Sequence, residues 1–118
     1  MSWVKVLAAS ELDQGDRHVV KVKKEKILLV NHSGTICAVQ NACPHLKAPL
    51  NRGKLTADGA IVCPLHRSAF DLTTGAPKSW IPWPPGIGKF LGAISKEKPL
   101  QVYPTRVEDG DIWVEVAG

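Results

Sequence analysis

The hydrophobic and polar positions near both ends of the chain alternate with the period of two that is typical of β-strands. β-branched residues are frequent in these stretches, and each stretch has the length of a strand. We predict strands over Trp3–Leu7, His18–Val22, Ile27–Val30, Thr35–Val39, Gln101–Val107 and Asp111–Val116. Ile112, Val114 and Val116 fall on one face of the last strand, which indicates a side that packs against a core.

Turn-forming residues separate two pairs of these strands. Asn31–Gly34 is a four-residue turn signal between the third and fourth strands, and Glu108–Gly110 separates the last two. We therefore predict two hairpins.

The middle of the chain has a different pattern. From Asn41 to about Leu100, prolines, glycines and short apolar pieces predict loops with brief strands such as Ala60–Val62. No segment has the length and periodicity of an amphipathic helix. The fold class is therefore all-β, and we predict one domain over residues 1–118, with a loop-rich subdomain at approximately 41–98 inserted in a β framework.

Length and charge narrow the functional classes. A chain of 118 residues with 44% hydrophobic content is long enough for one core. The formal net charge is +4, but the basic residues are scattered and no nucleic-acid-binding motif accompanies them, so we expect no nucleic-acid partner. The densest basic run, residues 21–26, has the pattern of a solvated hairpin tip, and a mild basic surface favours an acidic protein partner.

The N-terminal sequence has no secretory signal pattern, and no window holds the roughly 18 uninterrupted apolar residues of a membrane span. We therefore expect a cytoplasmic protein without a transmembrane segment.

Two short near-copies in the middle segment carry the candidate chemistry. Cys43 and His45 form a C-x-H pair, and Cys63 and His66 form a C-x-x-H pair. A common zinc finger uses a cysteine pair followed by a histidine pair, whereas two mixed pairs suit a binuclear centre with thiolates on one iron and imidazoles on the other. The third cysteine, Cys37, lies within a predicted strand, and we interpret it as a buried, inert thiol.

These segments closely resemble the Rieske [2Fe–2S] domain family, and in particular its soluble ferredoxins. The resemblance is carried by Cys43-Pro44-His45-Leu46 and Cys63-Pro64-Leu65-His66-Arg67-Ser68, then by Phe70-Asp71, Thr74-Gly75, Pro99-Leu100 and Tyr103-Pro104. It implies a Rieske-type fold of stacked antiparallel sheets and one [2Fe–2S] cluster.

The resemblance also implies roles for individual residues. Cys43 and Cys63 would bind one iron, His45 and His66 would bind the other, and Ser68 would hydrogen-bond a bridging sulfide. Phe70 stands where the Rieske proteins of the respiratory and photosynthetic cytochrome complexes have a tyrosine, and its ring has no hydroxyl to donate. We therefore expect a reduction potential toward the low end of the Rieske range.

The implied function is that of a one-electron carrier between a reductase and a terminal oxygenase or a similar redox enzyme. We do not expect an enzyme in its own right, because only His18 and His32 remain as further histidines and they lie on separate elements. Two alternatives stay open: a small Rieske subunit of a larger oxidoreductase, as in nitrite reductases, and a zinc-stabilised interaction module that uses the same four ligands.

The segment from Trp80 to Ile94 is apolar, and Lys89 is its one charged residue. Its three prolines and three glycines exclude a stable helix. We interpret it as a cover over the cluster, with a docking surface for a redox partner or a contact with a membrane surface as the alternative.

Overall fold

The computed structural model of the protein describes residues 2–42, 49–64, 68–79 and 99–116. Its strands are β1 (Ser2–Ala8), β2 (Arg17–Val22), β3 (Glu25–His32), β4 (Thr35–Gln40), β5 (Lys54–Leu55), β6 (Ala60–Val62), β7 (Ala69–Asp71), β8 (Pro77–Ser79), β9 (Val102–Tyr103), β10 (Thr105–Glu108) and β11 (Asp111–Val116). A short 3-10 helix, Ala9–Glu11, follows β1. Among the described residues, no helix is long and apolar enough to cross a bilayer.

The strands form three antiparallel sheets. The outer sheet has the strand order β1-β11-β10, the central sheet β2-β3-β4-β9, and the distal sheet β5-β6-β7-β8. The four strands of the distal sheet lie between β4 and β9 in the sequence, within the predicted inserted segment. The boundaries of that subdomain stay a prediction.

The central sheet is covered on both faces. Ile27 and Leu29 pack in a core with Ile112 of the outer sheet, whereas Leu28 packs in a second core with Phe70 of the distal sheet. Because alternate residues of a strand point to opposite faces, a strand that is buried on both faces is a continuous apolar run. This explains why residues 27–30 are all 0% exposed. The stack of three sheets confirms the predicted fold class.

The hairpins were predicted at the right places, but their turns are shorter than predicted. His32 pairs with Thr35, so Ser33-Gly34 is a two-residue loop and Asn31 belongs to β3. Glu108 pairs with Asp111, so the second turn is likewise reduced to Asp109-Gly110. All four loop residues have positive φ, as a tight turn between twisted strands requires.

The predicted strand over Gln101–Val107 was wrong as a single element. Pro104 divides it into β9, which pairs with β4 of the central sheet, and β10, which pairs with β11 of the outer sheet. Proline has no N–H to donate to a ladder, so the chain changes sheets at this residue. The Pro104 carbonyl still accepts a hydrogen bond from the Glu115 N–H, at 3.0 Å.

Candidate metal centre

The predicted ligands divide between described and undescribed parts of the chain. Cys63 and Ser68 are described, whereas Cys43, His45 and His66 lie outside the described residues. Within the parts that the structure describes, no group of three or more histidine, cysteine or acidic side chains is placed to hold a metal ion. The apolar segment 80–94 also lies outside the described residues.

Cys63 stands at the end of β6, where a hairpin loop begins. Val62 pairs with Ala69 of β7, and the Cys63 N–H donates to the Ser68 carbonyl at 2.8 Å. The loop between them, residues 64–67, contains His66. Both Cys63 and Ser68 are only 1% exposed, so the hairpin directs the cysteine and serine side chains into the interior.

Hydrogen bonds join the residues on either side of the segment that contains Cys43 and His45. The side chain of Asn41 accepts a hydrogen bond from the Leu50 N–H at 3.1 Å and so joins the two ends of the loop. The Gln40 side-chain amide donates to the Ala42 carbonyl at 2.8 Å, just before the first cysteine. Residues 43–48 are therefore connected at both ends to residues held by defined hydrogen bonds.

The return of the first loop packs directly against the strand that leads to Cys63. The Gly53 N–H donates to the Leu50 carbonyl at 2.8 Å and closes a turn. A Cβ at Gly53 would overlap the Val62 carbonyl oxygen, so only glycine permits this approach. The turn thus places the end of the first loop beside the residue that precedes Cys63.

Arg17 of β2 fixes the same turn from the central sheet. Its Nη1 donates to the Asn51 carbonyl at 3.0 Å and to the Gly53 carbonyl at 2.5 Å. Hydrogen bonds from a charged donor are stronger than neutral ones. Neither Gly53 nor Arg17 was identified from the sequence. The Gly53 contact joins a turn to Val62, nine positions later, and the Arg17 contacts join residues more than thirty positions apart.

The motif residues downstream of the second loop form a second junction. The Asp71 carboxylate accepts hydrogen bonds from the Thr73 and Thr74 N–H groups, at 2.8 and 2.9 Å, and these bonds lower the pKa of Asp71. Gly75 then adopts φ +77°, and its carbonyl accepts a 2.8 Å hydrogen bond from the Leu100 N–H. Thr74-Gly75 and Pro99-Leu100, far apart in sequence, are therefore parts of one contact.

The surroundings of Cys63 are apolar. Cys63 belongs to the core between the central and distal sheets, together with Leu50, Ile61 and Phe70. Cys37 lies in the same core at 8% exposure, which confirms the prediction of a buried thiol. Burial raises the pKa of the Cys37 thiol, and the charge of Asp71 raises it further, so the protonated and unreactive form is favoured.

The other two histidines do not meet at a common site. His18 is exposed on β2, whereas His32 is half-buried at the end of β3. The Nε2–H of His32 donates to the Thr56 carbonyl at 3.2 Å, which links the central sheet to the turn before β6. This placement agrees with the expectation that the two histidines lie on separate elements.

The described residues fit a Rieske cluster. Among them, Ser68 is the one polar side chain that is fully buried, and it lies beside Cys63 in an otherwise apolar core. A thiolate ligand, a nearby hydroxyl donor and an apolar shell that excludes water are the surroundings that such a centre uses. The loop between Cys63 and Ser68 carries the histidine that would complete this half of the donor set.

Comparison with known proteins identifies the class. The profile of the Rieske [2Fe-2S] domain family matches residues 2–104. The chain therefore belongs to the Rieske [2Fe-2S] domain family, which confirms the resemblance and the cofactor that were predicted from the sequence.

Individual relatives within the family are ferredoxin components. The chain is 31% identical over 117 residues to the 3-phenylpropionate/cinnamic acid dioxygenase ferredoxin subunit of Photorhabdus laumondii subsp. laumondii, covering 99% of this chain and 97% of the relative. It is 29% identical to the ferredoxin component of the alkene monooxygenase system of Xanthobacter autotrophicus, covering 97% and 81%. A solved ferredoxin chain, in a complex of reduced oxygenase and oxidized ferredoxin in carbazole 1,9a-dioxygenase, is similar with a TM-score of 0.74 and 28% identity, covering 95% of this chain and 100% of that one.

Proposed function

We propose that this protein is a one-electron carrier that receives electrons from a reductase and delivers them to a terminal oxygenase, in the cytoplasm and without substrate turnover of its own. Its relatives are named as ferredoxin components of oxygenase systems, and a similar ferredoxin was solved in complex with its oxygenase. When bound, the Rieske cluster supplies a centre that takes up and returns a single electron.

We further propose the residues that hold the cluster. Cys43 and Cys63 supply thiolates to one iron, and His45 and His66 supply neutral imidazole nitrogens to the other. Ser68 donates its hydroxyl toward a cluster sulfur. The inserted subdomain at approximately 41–98 carries all of these residues.

The observation that carries this assignment is the position of Cys63. It begins a closed hairpin loop, its side chain lies in an apolar core beside buried Ser68, and the return of the other ligand-bearing loop packs against the preceding residue, Val62. Electron transfer needs a centre whose ligands move little, and main-chain hydrogen bonds at both loop bases provide this rigidity.

The chain contains its own control for the ligand assignment. Cys63 and Cys37 are both buried in the same core, so serine at either position introduces a hydroxyl into similar surroundings. We expect Cys63→Ser to abolish the visible absorption, the labile sulfide and the iron of the purified protein, whereas Cys37→Ser keeps all three. Retention of the cluster in Cys63→Ser to the same extent as in Cys37→Ser would show that Cys63 is not a ligand.

The carrier function has a separate test. Reductive titration of the holoprotein should take up one electron per chain reversibly, and the reduced protein should be reoxidised on mixing with the oxygenase component of a related dioxygenase. Product should form only when the oxygenase is present. A colourless zinc protein without labile sulfide would support an interaction module instead, and product formation by the isolated chain would support an enzyme.

A further inference from the structure

The positive charge of the described chain is concentrated at the tip of the β2–β3 hairpin. Lys21, Lys23, Lys24 and Lys26 are all exposed there, and Glu25 is the one acidic residue among them, so residues 21–26 carry four positive charges and one negative charge, a net +3. Among the described residues, none of the ion pairs involves these four lysines. Their ammonium groups are therefore directed at solvent. We call residues 21–26 the basic tip.

The basic tip lies at the base of the first ligand-bearing loop. The carbonyl of Lys26 accepts a 2.9 Å hydrogen bond from the Asn41 N–H. Lys24 and Lys26 also line a groove of about 380 Å³ whose other walls include Ala42 and Pro49. These two residues flank the segment that carries Cys43 and His45, so the groove joins the lysines to that loop.

The acidic residue of the tip is held back from solvent. Glu25 is half-buried and lines the groove with Tyr103, and its negative charge adds to burial in raising the pKa of the Tyr103 hydroxyl to about 12. The carboxylate of Glu25 is therefore less accessible to a partner than the ammonium groups of the four exposed lysines.

The opposite end of β3 has the opposite charge. Residues 11–17 contain three acidic residues and one arginine, a net −2, and the Asp16 carbonyl accepts a 3.0 Å hydrogen bond from the Asn31 N–H. Six residues of strand separate Glu25 from Asn31, which is about 20 Å. The charge is therefore arranged along β3, with its positive end at the first ligand-bearing loop.

We propose that the basic tip is the docking surface for an acidic patch on the electron-accepting partner protein, an inference that rests on the proposed function. A partner that presents clustered Asp and Glu around its own redox centre would be oriented by the charge arrangement before contact. Docking against Lys24 and Lys26 would bring that centre beside the loop of Cys43 and His45. The small interfaces of transient redox encounters make such steering effective.

Two small oxidants of opposite charge test the proposal without the native partner. The holoprotein is reduced and then mixed in a stopped-flow instrument with ferricyanide, a trivalent anion, or with tris(phenanthroline)cobalt(III), a trivalent cation. Lys24→Gln should slow the oxidation of the protein by ferricyanide and accelerate its oxidation by the cobalt complex, by about fourfold each. This estimate takes a charge roughly 10 Å from the bound oxidant at about 0.01 M ionic strength. Both effects should nearly vanish at about 1 M salt.

Arg106→Gln is the matched control. It removes the same charge from an exposed side chain of β10 in the outer sheet, on the face of the central sheet opposite to the distal sheet and Cys63. We expect its rates to stay close to those of the unmodified protein. Equal effects of the two variants, or no effect of Lys24→Gln with either oxidant, would overturn the proposal.

The outcomes separate this inference from the carrier function. A reduced protein that passes no electron to either oxidant would contradict the proposed function. Rapid electron transfer at a rate that does not depend on Lys24 would contradict only the proposed docking surface. Binding of a DNA duplex or of anionic vesicles that depends on Lys24, with unchanged electron-transfer rates, would assign the basic tip to a different partner and would also overturn the proposal.

Discussion

The junction between Gly75 and Leu100 can be tested by adding a single methyl group. Gly75 has φ +77°, and a Cβ there would overlap the Leu100 carbonyl oxygen. Gly110 has the same φ of +77°, but a Cβ there would meet nothing within 4 Å. Gly75→Ala and Gly110→Ala therefore share the conformational cost and differ only in the steric one.

The two costs can be estimated separately. An alanine held in the left-handed region costs about 1–2 kcal/mol. At Gly75 the overlap adds about 1–3 kcal/mol of overpacking. Displacing Leu100 also weakens its hydrogen bond to the Gly75 carbonyl, which is worth about 1 kcal/mol. We therefore expect Gly110→Ala to lower the free energy of unfolding by about 1–2 kcal/mol and Gly75→Ala by about 3–6 kcal/mol.

The assay is thermal unfolding of the two holoproteins, followed by far-UV circular dichroism and by the visible absorption of the cluster. At about 4 °C per kcal/mol, the expected fall in Tm is about 4–8 °C for Gly110→Ala and about 12–24 °C for Gly75→Ala. Leu100 belongs to the same core as Cys63. The Gly75→Ala protein should therefore also lose the visible absorption of its cluster faster at a fixed temperature. Equal Tm values for the two variants would refute the close approach of Gly75 to Leu100.

Three further predictions concern other described residues. Cys37 should resist alkylation by iodoacetamide at pH 8 in the native protein and react only after unfolding, because burial raises the pKa of its thiol. Mass spectrometry measures the labelling, and labelling at the rate of a small free thiol would contradict this prediction. Hydrogen bonds from Thr56 and then Lys78 lower the pKa of Asp58 to about 2, so the stability that this carboxylate contributes is present above pH 3.8 and is lost as the pH falls through about 2. Carboxyl NMR should show that pKa moving up toward 3.8 in Lys78→Met, and an unchanged value would exclude the ion pair. Arg17→Met should lower the free energy of unfolding, measured in urea, by about 1–3 kcal/mol, because two main-chain carbonyls lose a charged donor. Arg17→Lys should restore part of the loss. No change in either variant would rule out these hydrogen bonds.

The framework strands could be predicted because their patterns are local. Residues 27–30 are continuously apolar and residues 111–116 alternate, and each pattern reports how many faces of its strand are covered. Turn lengths were predicted less accurately, because Asn31 is a strong turn former that here lies within β3, one residue before its end. Its side-chain oxygen accepts a hydrogen bond from the Gly34 N–H at 2.9 Å. The hydrogen bond between the Gly34 N–H and the Asn31 side chain, rather than a place in a longer loop, explains why asparagine occurs at position 31.

The cofactor was predicted correctly from the sequence, whereas the contacts around the candidate site were not predicted. The types and spacing of the cysteines, histidines and Ser68 allowed candidate ligands to be proposed from the sequence, and these assignments stay predictions. The contacts that bring the loops together depend on main-chain approaches at Gly53 and Gly75 and on the long reach of Arg17. Such contacts leave no periodic signal, because each joins segments whose separation in the chain is unrelated to any repeat.

With Cys63 as a proposed cluster ligand, its membership in a core would couple cofactor retention to one of the two packing layers. Leu50 packs in the core of Cys63 between the central and distal sheets, whereas Leu29, equally buried, packs between the central and outer sheets. Because metal binding to a preformed site contributes to folding free energy, a defect near Leu50 weakens both the packing and the ligand geometry. A defect near Leu29 lowers stability without displacing a ligand. The outer sheet therefore supports the central sheet from the face opposite to Cys63, whereas the layer between the central and distal sheets would respond to cluster binding as well as to packing.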